Sequence, residues 1–194
     1  MKKILFLLLI LISSNIRAQE GTEVLAKPNE GKCMVYIARR ETAAAMIKFA
    51  IYDGDLPLGK LGARKYFAYE CDPGQHAFIA KSENTVYVDA NLEAGKTYVL
   101  NIKAKMGVVY ARVGIVPLCK GTKKFEKQRQ KFLEFIEKRK GELLTKDEET
   151  KAEENVKGGK ADGTDSPGKR MKKFQEMKDE GKKMVVVSPD MYFE

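Results

Sequence analysis

The chain has 194 residues, with 36 Lys and Arg against 27 Asp and Glu, a formal charge of +9, one His, three Cys and no Trp. That length suits one domain of ordinary size with extensions. One His and three scattered Cys match no zinc spacing, no Walker loop or dinucleotide fingerprint is present, and none of Ser82, Ser166 and Ser188 sits in a G-x-S-x-G elbow, so no metal, no cofactor and no enzyme of those classes is expected.

Lys2 and Lys3 precede an unbroken apolar run, Ile4 to Ile12, and a more polar stretch ending at Ala18. This is the three-part order of a secretory signal peptide. The apolar run has nine residues, well short of the roughly 20 that a spanning helix needs. Residues 1–18 are therefore expected to be cleaved between Ala18 and Gln19, leaving no transmembrane segment. No Cys lies near the cut to carry a lipid. The expected location is the periplasm or exterior of a bacterium, with association to the outer membrane left open. Without Lys2, Lys3 and Arg17 the charge is +6. The surplus lies mainly in residues 120–183, which hold 20 basic and 14 acidic residues. Dense charge of both signs marks a solvated helical surface and makes nucleic acid an unlikely partner.

Residues 19–31 read as a lead-in loop. From 32 to 119, short runs rich in Val, Ile, Tyr and Phe alternate with turn signals. Strands are expected at Cys33–Ala38, Met46–Tyr52, Leu56–Leu61, Tyr66–Glu70, His76–Lys81, Val86–Ala90, Thr97–Ala104 and Val108–Val116. Eight short strands with no helix between them predict a mainly β protein, an antiparallel β-sandwich of the Ig-like kind or a barrel, over a βαβ fold. A charged, α-helical extension follows. Residues 120–145 are assigned to an amphipathic helix, Lys123 to Leu144, with Phe125, Phe132, Phe135 and Ile136 on one stripe. That stripe packs on the sandwich or, as a contact surface, on another copy or an envelope partner; the other reading is a basic amphipathic helix lying on an anionic membrane. Residues 146–168 read as a flexible linker. Residues 169–194 read as a short helix ending near Gly181 and a docked strap closing on Tyr192-Phe193.

Catalytic candidates are few. If Pro73-Gly74 closes a hairpin, Cys71 opposes His76, and cross-strand partners about 5 Å apart form a reactive thiol–imidazole pair. If it forms a corner between sheets, the two separate. Three cysteines, Cys33, Cys71 and Cys119, permit one of three pairings or none; their apolar surroundings favour buried free thiols. Tyr66, Phe67, Tyr69, Tyr87, Tyr98 and Tyr110 could build a platform for a cell-surface glycan or serve as core and edge packing.

Several turns occur in a recognisable order: Gly31-Lys32 before a strand with Tyr36, Tyr52-Asp53-Gly54 with Gly59-Lys60-Leu61, Tyr66-Phe67-Ala68-Tyr69, Pro73-Gly74-Gln75-His76, and Glu93-Ala94-Gly95-Lys96-Thr97-Tyr98. Over residues 31–118 this order resembles exported bacterial proteins of the domain-of-unknown-function family two-eight-four-six. It is also similar to PEGA-type surface β-domains. The resemblance implies a small exported β-sandwich with no established activity, and it supplies no catalytic residues. The sequence thus leads to an exported, non-enzymatic envelope protein with a binding or scaffolding sandwich. A glycan- or peptidoglycan-binding module, and an enzyme with a site near His76, are the alternatives.

Overall fold

The computed structural model describes residues 24–139, 141–144 and 168–194. The leader (1–18) and the linker (146–168), apart from Gly168, lie outside them. The described chain is mainly β, with ten strands in two five-stranded sheets and two helices. The first eight strands are β1 (Cys33–Arg39), β2 (Phe49–Asp53), β3 (Leu56–Leu61), β4 (Lys65–Cys71), β5 (Gly74–Lys81), β6 (Thr85–Leu92), β7 (Thr97–Met106) and β8 (Ala111–Pro117). The extension adds α1 (Phe125–Glu137), β9 (Glu142–Leu144), α2 (Lys169–Asp179) and β10 (Val185–Val187). One sheet runs β8-β7-β1-β4-β9, the other β10-β6-β5-β2-β3.

The sheets are mixed, which corrects the antiparallel expectation. β1 runs parallel to β7, β9 to β4 and β10 to β6. The last two arise because the extension returns to cover one edge of each sheet with a three-residue strand. Covering an edge satisfies N–H and C=O groups that would otherwise invite pairing with another chain.

All seven residues of β1 are buried, and period-2 alternation explains how. Cys33, Val35 and Ile37 enter the core between the sheets, with Phe49, Ile51, Phe78 and Val88 from the other sheet. Met34, Tyr36 and Ala38 point the opposite way, into a second core beneath α1. There the stripe Phe125, Phe132, Phe135 and Ile136 is buried against the same protein's sheet. Of the uses open to it, packing on the sandwich is the one formed. Each large apolar side chain so buried contributes about 1.5–3 kcal/mol.

α1 is shorter than expected. It stops at Glu137, and Leu143, assigned to the helix by its spacing, belongs to β9. Gly141 lies between the two elements, where a helix interior would be weakened. α2 ends as a Schellman motif: Gly181 takes φ 61°, its N–H donates to Lys178 O at 3.1 Å, and Lys182 N–H donates to Met177 O at 2.9 Å. Phe174 of α2 packs beside Tyr87, and Arg170 lies 4.2 Å over the Tyr52 ring while donating to Asp55 O. The second sheet thus also has a helix on its outer face.

After β10 the chain crosses to the first sheet. Phe193 N–H donates to Thr97 O at 2.7 Å, Thr97 N–H donates to Glu194 O at 2.9 Å, and the Phe193 ring, with no exposure, meets Phe125 and Phe132. The expected docked strap is formed.

At the end of β1, Arg39 is also fully buried. Its guanidinium donates to the carbonyls of Ala43, Ala44 and Ile47 and sits 4.2 Å over Phe49. This holds residues 40–48 as a loop, so Met46 and Ile47 lie before β2 and not within it.

Candidate functional site

The candidate site lies at the corner between β4 and β5. β4 belongs to one sheet and β5 to the other, so Asp72-Pro73 spans the sandwich edge and does not close a hairpin. Of the two arrangements open to Pro73-Gly74, the corner is formed, and the hairpin that would oppose Cys71 to His76 is not. Cys71 is in register with Cys33 on β1, and His76 with Ala90 on β6. The corner separates them by assigning each to its own sheet.

His76 instead meets Asp53, the last residue of β2. Its Nδ1 lies 2.7 Å from Asp53 Oδ2 and its Nε2 lies 2.8 Å from the Asp72 carbonyl oxygen. Tyr69 of β4 donates its hydroxyl to the same Asp53 oxygen at 3.1 Å. A carbonyl oxygen only accepts, so Nε2 carries a proton; an ionised carboxylate only accepts, so Nδ1 carries one too. Both ring nitrogens are thus committed, and opposite an ionised Asp53 the ring is an imidazolium. Side-chain exposures of 13% for His76 and 11% for Asp53 place this pair largely out of water. Burial opposes the charge, but the hydrogen bond and charge of Asp53 and the Asp72 carbonyl outweigh it, holding His76 above the ordinary histidine range. The ring also stacks on Phe78, two residues along the same face, with centroids 5.7 Å apart.

Beside this pair, Cys33 and Cys71 face each other with their sulfurs 3.4 Å apart. Cys33 Sγ is within 3.4 Å of two carbonyl oxygens, those of Cys71 and Asp72, which suits a donating thiol. The bond to Cys33 and burial push the Cys71 thiol up, away from nucleophilic character. All three cysteines are free and buried; Cys119 contacts only Thr122 Oγ1 among the hydrogen-bonding groups around it, at 3.3 Å.

The Cys33–Cys71 register has a testable consequence. Directly opposed residues of antiparallel strands have Cα separations of about 4.5–5.5 Å, inside the range a disulfide spans. Exchange with a small oxidised disulfide such as oxidised glutathione would remove one proton from each thiol and pass two electrons to the reagent, which leaves as two thiols. The expected product links 33 to 71 and leaves Cys119 free. Peptide mapping under non-reducing conditions checks this, and a bridge that includes Cys119 would contradict it.

The aromatic rings do not form a platform. Phe67, Tyr69 and Tyr98 are buried in the core, and Tyr66 and Tyr87 pack beside Phe135 and Phe174 of the helices. Tyr110 alone of the six is exposed, at 65%. Sequence reasoning missed Asp53 and Cys33 as members of the corner cluster. Neither signal is local: each joins through strand register to a residue more than 20 positions away.

The chain matches no family model, no curated protein and no solved structure. Function is therefore argued from the site itself. Among the described residues no group of three or more His, Cys, Asp and Glu is arranged to hold a metal ion. No described helix is long and apolar enough to cross a membrane. The His76–Asp53 pair lies within one sheet, and the Tyr69 hydroxyl, from the other sheet, ties it across the sandwich. A general base needs an unprotonated nitrogen facing substrate, and the geometry commits both His76 nitrogens elsewhere.

Proposed function

We propose that this chain is an exported, non-enzymatic binding protein of a bacterial envelope, in which a rigid sandwich carries the binding loops. The observation that carries this reading is the locked imidazole. His76 is the one His in the sequence, and both its nitrogens are engaged, one by Asp53 and one by the Asp72 carbonyl. The neighbouring thiols are buried and paired with each other. Such a cluster braces the sandwich corner. The β-sandwich also fits what the resemblance to domain-of-unknown-function family two-eight-four-six and PEGA-type domains implies, and export rests on the signal-peptide pattern of residues 1–18.

Expression of the full chain in a Gram-negative bacterium, followed by fractionation and intact-mass measurement, tests the address. The expected product begins at Gln19 and lies outside the cytoplasm. A cytoplasmic product that retains Met1 would overturn the reading.

A further inference from the structure

The end of the sandwich opposite the His76 corner breaks the rule that strand-like apolar runs are buried. Met106-Gly107-Val108-Val109-Tyr110 joins β7 to β8 as a hairpin tip. Met106 is 97% exposed, Val108 93%, Val109 75% and Tyr110 65%. Met46, 95% exposed, lies in the 40–48 loop at the same end, where Glu41 of that loop is bonded to Lys103 of β7. β1 pairs with β7 only as far as Asn101. The five residues of β7 beyond Asn101 pair with β8 alone.

The tip is held in shape. Glu83, in the β5–β6 turn, accepts the backbone N–H groups of Val108 (3.0 Å), Val109 (3.4 Å) and Tyr110 (3.0 Å). Those donors, Val108 and Tyr110 above all, hold its carboxyl below the usual carboxylate range. Ser82 Oγ donates to Ala111 O, and the Asn84 side chain bonds Val113 on both its N–H and C=O. These bonds occupy the backbone of the tip and leave its apolar side chains outward. A segment ordered before binding loses less freedom on binding.

The charge around the tip has one dominant sign. Lys105 and Arg112 oppose each other directly across the hairpin. Like charges in that position disfavour the hairpin unless an anion lies between or over them; Glu83 interacts with Arg112. Exposed Lys48, Arg64 and Lys65 occupy the neighbouring loops and strand ends, since Lys65 pairs with Arg39 at this end of β1. An exposed apolar tip ringed by cations matches a bilayer of anionic phospholipid: the apolar residues enter the headgroup–acyl boundary, about 5–10 Å deep, and the cations meet the headgroups. A second copy is a poor match, because tip-to-tip contact would bring the cations together.

We propose that the 106–110 tip and its basic collar dock this protein on an anionic phospholipid surface. The inference rests on the exported-binding-protein reading and names its partner. The test is co-sedimentation of the purified chain beginning at Gln19, so that the apolar leader does not contribute, with vesicles of phosphatidylcholine alone or mixed with phosphatidylglycerol. Binding is expected to the mixed vesicles and to weaken with salt. The double substitution Val108→Asp with Val109→Asp, and separately Lys105→Glu with Arg112→Glu, each weaken it by about tenfold or more. Val186→Asp, at an exposed apolar position on β10, leaves it unchanged. Thermal unfolding of each variant shows whether the fold is retained; if a tip variant does not fold, blue-shifted fluorescence of Val109→Trp on adding mixed vesicles provides the same test. No binding to mixed vesicles, equal binding to neutral ones, or binding that both folded tip variants retain would overturn the proposal. Because the assay uses purified protein, failure here is separate from failure of export.

Discussion

Phe193→Ala is expected to destabilise the protein by about 3–5 kcal/mol, the usual cost of removing a fully buried Phe. The ring has no exposure and meets Phe125 at 5.8 Å and Phe132 at 5.1 Å between centroids. It is the penultimate residue of the chain, yet it completes the core between α1 and the first sheet. Its loss removes transfer free energy and leaves a cavity beside Phe125 and Phe132. Chemical denaturation of the substituted chain checks the magnitude. A change below about 1 kcal/mol, the level of a surface substitution, would show that the strap is not part of the folded core.

Asp53→Asn tests the corner. The substitution removes the counter-charge of a largely buried imidazolium, and breaking a buried pair costs about 3 kcal/mol or more. The effect depends on pH in a definite direction. His76 has a raised folded-state pKa, so its stabilising contribution is complete below the unfolded value, about 6.5, and is lost as pH rises through the folded value. The gap between the natural and Asp53→Asn proteins is therefore largest below about pH 6.5 and narrows in alkali. Denaturant midpoints across pH measure it; a gap that widened in alkali would exclude the imidazolium pair.

Much of the sandwich was legible because period-2 alternation is local. β1 shows this well: Val35 and Ile37 alternate with Met34, Tyr36 and Ala38, and an unbroken apolar run signals a strand covered on both faces. The Phe125–Ile136 stripe supplied the covering helix by the same local reasoning. Val108–Tyr110 defeated that logic. Three consecutive apolar residues read as a strand, but the Glu83 carboxylate, in a different turn, claims their N–H groups. Arg39 misled in the opposite sense, since a cation at a strand end is ordinarily solvated, whereas here three loop carbonyls receive it. The corner was half visible. Cys71 and His76 stood out by composition, but their true partners, Cys33 and Asp53, depend on which sheet each strand joins. That is set by the corner at Asp72-Pro73 and by long-range register, neither of which spacing reveals. The parallel edge strands β9 and β10 are three residues each, too short for any periodic signal.

In the proposed reading His76 braces the corner and does not serve as a base. Long-range nitrogen–proton NMR on the uniformly labelled chain tests it most directly, because the sequence contains a single His and assignment is unambiguous. The imidazolium, with both ring nitrogens protonated, is expected to persist to higher pH than in an ordinary histidine and to be lost at lower pH in Asp53→Asn. A ring that loses its proton at or below the ordinary histidine range would contradict the brace and return His76 to the catalytic candidates.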